Sequence, residues 1–118
     1  ISSAREKQEM KLVLVCYSGS SASILRDRML AWARANLLDV EIIVSSLAGL
    51  DEDKEDADIV LVGPQVRCAL ASVRERVPER IPVMAVDTRD YGMAKGDRVM
   101  QAALDEIRQY KEQKIHME

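Results

Sequence analysis

The chain has 118 residues, 47% apolar and 31% charged, with a formal net charge of -3. That is enough chain for one domain with its own core, and the mixed charges, with no basic stripe interleaved with aromatics, argue against a nucleic-acid partner. No apolar stretch approaches the length of a membrane helix or resembles a signal peptide, and two cysteines without close spacing fit a reducing, cytoplasmic setting.

Ile1–Glu9 is polar and without period, and Met10 offers a natural start directly before the first apolar run. The leading nine residues therefore read as a leader or tag remnant, and 10–118 as a single domain. Four short runs rich in Val, Ile and Leu predict strands at Leu12–Cys16, Val40–Ser45, Ile59–Val62 and Val83–Val86. Such runs suit strands covered on both faces, and their alternation with amphipathic stretches is the signature of βαβ units.

The first run leads into Cys16, and six of the next seven residues, Tyr17-Ser-Gly-Ser-Ser-Ala-Ser23, are small. A helical pattern follows over Ile24–Ala35, with Ala22, Leu25, Met29, Trp32 and Ala33 on one face and Arg26, Asp27 and Arg34 turned toward water. A strand, a tight loop and a helix start in that order make an anion cradle, because loop N–H groups and the helix N-terminus can point at one spot. A thiol at its mouth is expected to have a lowered pKa, since such donors stabilise the thiolate. Gly19 is expected to give the loop positive φ and close backbone approach.

The acidic run Asp51–Asp56 after the second strand reads as a solvated short helix or loop, not a magnesium site, because it lies far from the loop in sequence. Gly63-Pro64 ends the third strand. Val66, Ala69, Leu70, Val73 and Val77 mark a helical face beyond it, with Cys68 read as a buried small hydrophobe. Pro78 and Pro82 bound that helix's exit, and Gly96-Asp97 opens a last helix with the stripe Val99, Ala103, Ile107 and Tyr110. His116, the single histidine, sits in the tail and supports neither a zinc site nor a Cys-His pair. No metal and no cofactor are expected.

Together these elements predict an α/β fold, a three-layer open sheet of four parallel strands in the order 2-1-3-4 with helices on both faces. Ligands of such sheets bind at the carboxyl edge, so Gly63–Gln65 and Asp87–Gly92 are expected beside Cys16.

Cys16-x-x-Gly19-x-Ser21-x-Ser23 between strand and helix resembles the phosphorylation loop of sugar phosphotransferase-system enzyme IIB proteins of the lactose/cellobiose (chitobiose) type. Val62-Gly63-Pro64-Gln65 is similar to their "GPQ" turn, and Val86-Asp87 with Tyr91-Gly92 to their segment after the fourth strand. The likeness runs from about Met10 to Tyr110, although Tyr17 and Ser18 stand where that family often has smaller residues. It implies a flavodoxin-like fold, also that of low-molecular-weight phosphatases. It further implies that Cys16 takes a phosphoryl group from a histidine of enzyme IIA and passes it to a sugar of the cellobiose type on membrane enzyme IIC. Tyr17, Ser18, Gly19, Ser20, Ser21, Ala22 and Ser23 would then bind phosphate, with Gln65, Asp87 and Tyr91 at the rim and Arg67 and Arg89 offering positive charge or partner contacts. The protein would be cytoplasmic and peripheral to the transporter.

Two other readings stand beside this one. Low-molecular-weight tyrosine phosphatases and arsenate reductases use Cys-x5-Arg-Ser/Thr, and Asp87 and Asp90 lie where such an enzyme keeps its general acid. The arginine position, however, falls on Ala22. A IIB-like sensory domain of a transcriptional regulator would share the loop, although completeness from Met10 onward is expected of a free-standing relay.

Overall fold

The computed structural model describes residues 9–17 and 19–117. In it, four parallel strands, β1 (Met10–Val15), β2 (Val40–Ser45), β3 (Ile59–Val62) and β4 (Val83–Ala85), lie in the order β2-β1-β3-β4. Register pairs Val15 with both Ser45 and Val62, so the strands end at one edge. The expected fold class and strand order are observed.

Alternation builds the two cores. Leu12, Leu14, Ile59 and Leu61 face one side, where they meet Ala22, Leu25, Met29 and Ala33 of α1 (Gly19–Ala35). The same cluster takes in Val99, Met100, Ala103 and Ile107 of the closing helix. Val13, Val15, Val60 and Val62 face the other side, against Leu50, Val66, Val73 and Val77. Every one of these strand residues is fully buried, and each such side chain contributes about 1.5–3 kcal/mol relative to exposure.

The helices on the second side are α2 (Leu50–Asp53), a 3-10 segment (Pro64–Ala69) and α3 (Leu70–Arg76). The first side has α4 (Thr88–Gly92) and α5 (Gly96–Met117) besides α1. The acidic run lies in and after α2, where Asp51 meets Arg76 and Lys54, each at 3.3 Å.

Three expectations are corrected. The first helix opens at Gly19, five residues ahead of its expected start at Ile24, because the small, hydroxyl-rich run that reads as loop also suits a first helical turn. Cys68 is exposed. Pro64 starts a tighter 3-10 turn, which breaks the helical phase that would have turned the cysteine inward. Arg26 is half-buried at the edge of β2, and its Nε has no hydrogen-bond partner among the described residues.

Candidate functional site

Cys16 follows β1 at the carboxyl edge, and the strand ladder fixes its backbone. Its N–H donates to the Ser45 carbonyl at 2.9 Å, while Gly63 N–H donates to the Val15 carbonyl at 2.9 Å. The end of β1 is thus clamped between the ends of β2 and β3. Ser45 is a positioning residue the sequence reading missed. Its position at the end of an apolar run, on the same edge as the cysteine, was the available signal.

The thiol-bearing residue is only 3% exposed and packs in the α1 core with Leu14, Ala22 and Tyr91. Burial pushes its pKa up from the ordinary 9.0, opposite to the expected lowering. Removal of water penalises the thiolate relative to the thiol.

α1 begins with Gly19–Ser23, with Tyr17 and Ser18 between it and the cysteine, and has no acidic residue in its first turn. Its N-terminal N–H groups have no partners within the helix, and its dipole favours an anion there. α1 opens on Gly19, and the positive φ expected there turns on the Ser18 carbonyl and lies outside the described residues. Ala22 is fully buried, its methyl part of the core. Tyr17 is 67% exposed at the rim. Ser18 lies outside the described residues, as do the side chains of Ser20, Ser21 and His116.

The second part of the edge is built around Gly63. A Cβ on it would lie 3.2 Å from the Val15 carbonyl oxygen, 3.2 Å from Gln65 Oε1 and 3.3 Å from Tyr91 Cε2. Absence of a side chain is what lets the GPQ turn and the tyrosine ring close on the end of β1. Gln65 and Tyr91 therefore meet over Gly63. Asp87 stands at the start of α4, where its carboxylate accepts the Arg89 N–H at 3.1 Å as helix N-cap. Arg67 and Arg89 are exposed. Among the described residues no three or more His, Cys, Asp or Glu gather as a metal site, and no helix is long and apolar enough to cross a membrane.

The family described as "PTS system, Lactose/Cellobiose specific IIB subunit" matches residues 11–102, from β1 into α5. The chain belongs to that family. It is a sugar-specific IIB component of the phosphotransferase system, and family members are phosphotransferases that pass phosphoryl groups to sugar. It is 33% identical over 98 residues to the galactose-specific EIIB component of Lactococcus lactis subsp. cremoris, covering 78% of this chain and 91% of that one. The oligo-beta-mannoside-specific EIIB component of Bacillus subtilis is 33% identical over 95 residues, covering 80% and 92%. Among solved structures, the cellobiose-specific IIB component of Borrelia burgdorferi superposes with a TM-score of 0.73 at 29% identity, covering 86% of this chain and 94% of that one. The lactose-specific IIB domain of Streptococcus pneumoniae shares the fold at a TM-score of 0.69 and 17% identity, over 83% and 97%.

Proposed function

We propose that Cys16 is the phosphoryl carrier of this IIB component. It would accept the group from a histidine of enzyme IIA and deliver it to a sugar held by membrane enzyme IIC, with the protein at the cytoplasmic side of the transporter. The observation supporting this most directly is the placement of Cys16 between the end of β1 and the N-terminus of α1. Backbone N–H groups of 17–23, with the hydroxyls of Ser18, Ser20, Ser21 and Ser23, would hold the phosphoryl oxygens, and Gln65 and Asp87 would edge the site. The family's description supports a sugar of the cellobiose type.

In the first transfer Cys16 Sγ attacks phosphorus. The S–P bond forms as the P–N bond to the donor histidine breaks, the electron pair returns to nitrogen, and the thiol proton ends on that imidazole. In the second, a sugar hydroxyl attacks phosphorus, the S–P bond breaks with its electron pair returning to Sγ, and the hydroxyl proton restores the thiol. Charge develops on the phosphoryl oxygens both ways, where N–H donors lower the barrier. Burial of Ala22 and capping by Asp87 leave the phosphatase alternative without its arginine and with one candidate acid already engaged.

The test is intact mass after incubation with phosphoenolpyruvate, the two general phosphotransferase proteins and a cellobiose-type IIA. One added phosphoryl group is expected on the wild type and none on a folded Cys16→Ser. Retention of the added mass by Cys16→Ser would show that another residue is the carrier, and hydrolysis of an aryl phosphate without added mass would move the protein to the phosphatases.

A further inference from the structure

Tyr91 is part of the same edge, and its surroundings ask more of it than anchoring a loop. Its ring lies over Gly63, with Cε2 3.3 Å from where a Cβ would stand. Gly63 in turn is hydrogen-bonded to Val15, the residue before Cys16. Cε2 is bonded to the ring carbon that bears the hydroxyl, so the phenol end of the ring lies over Gly63, at the end of β3. Cys16 and Tyr91 are buried in one cluster.

The residue is only 6% exposed, yet its hydroxyl has no hydrogen-bond partner among the described residues. Buried hydroxyls nearly always find partners, and one left without costs the full penalty of losing water. Phenylalanine would fill the same space without that cost. A donor kept buried at the sheet edge that carries Cys16 is accounted for if its partner arrives with the ligand.

We propose that Tyr91 Oη donates a hydrogen bond to a phosphoryl oxygen carried on Cys16. The proposal rests on the reading of Cys16 as carrier. Oη keeps its proton throughout and helps hold the group while phosphorus moves between nitrogen, sulfur and sugar oxygen. Tyr91 is then a catalytic residue, adding a side-chain donor to the backbone donors of α1.

The experiment compares the wild-type chain with Tyr91→Phe in single-turnover transfer from phosphorylated IIA, beside thermal melts of both. Transfer by the variant is expected to fall about 10- to 100-fold, as for loss of a hydrogen bond to a charged group. Its melting temperature should stay level or rise, because the substitution removes a buried hydroxyl that has no partner in the unloaded state. Unchanged transfer, or a fall matched by loss of fold, would overturn the proposal. A second measurement does not depend on the variant folding. The 13Cζ resonance of Tyr91, assigned against Tyr17→Phe and Tyr110→Phe spectra, should move when wild-type Cys16 is phosphorylated, and a stationary resonance on fully loaded protein overturns the proposal. A wild-type chain that takes up no phosphoryl group overturns the carrier reading as well. Normal uptake with unchanged Tyr91→Phe kinetics removes only Tyr91.

Discussion

At Cys16 two influences act in opposite directions. The end of α1 and its N–H groups favour an anion, whereas burial in the α1 core disfavours one and pushes the thiol above 9.0. Between the ordinary and the raised value the folded protein holds more protons than the unfolded chain. The group's contribution to stability is therefore fully present below 9.0 and is lost as pH rises through the folded value. Alkylation of the unloaded protein should label exposed Cys68 first, with Cys16 reacting through a midpoint above 9.0. A Cys16 midpoint below 9.0 would mean that the helix end outweighs burial. Residue by residue, the chemistry was legible where a rare type stood at a strand end, as with Cys16, and where a turn had a marked composition, as with Gly63-Pro64-Gln65. Cys68 was misread because its burial depended on helical phase, and Ser45 was passed over because it acts through its backbone.

Elements hold these residues in place through close backbone approaches. The α4–α5 turn passes through Ala94 at a φ of 52° and closes with Lys95 N–H to the Asp90 carbonyl at 2.8 Å. Gly96 then brings α5 against α1, where a Cβ would meet Arg28 C and Met29 N at 2.5 Å. Both are backbone atoms, so Gly96→Ala must displace one helix from the other. A loss of about 1–3 kcal/mol is expected in denaturant unfolding. Gly92→Ala is its control, since a Cβ there meets nothing within 4 Å. It should be neutral or gain up to about 1 kcal/mol from a less flexible unfolded chain. Equal losses for both variants would show that loss of backbone freedom, and not the helix contact, sets the cost. Strand positions were legible at this scale because fully buried strands read as plain Val/Ile/Leu runs. Helix starts were less so. Serine and glycine serve loops and first turns alike, and only the packing of Ala22 and Leu25 on the sheet decides that α1 begins at Gly19.

Across the whole molecule the parallel sheet is the rigid part. β1 and β3 have neighbours on both sides, with helices above and below, whereas β2 and β4 form the edges. Amides of β1 and β3 should exchange with solvent slowest, near the rate set by global unfolding, with those of β4 faster. Comparable protection in β4 would indicate that its edge is covered. The strand order was legible as a whole because parallel strands need crossovers and few arrangements of four such units bury both faces.

Every strand also ends at the edge where Cys16 sits, and the rest of the cysteine's surroundings are core. On the proposed relay, the protein that loads the group and the transporter that unloads it must use the same doorway. Neither can enter while the other stands in it, so each delivered phosphoryl group requires two separate departures, and a surplus of the loading protein slows the very traffic it feeds.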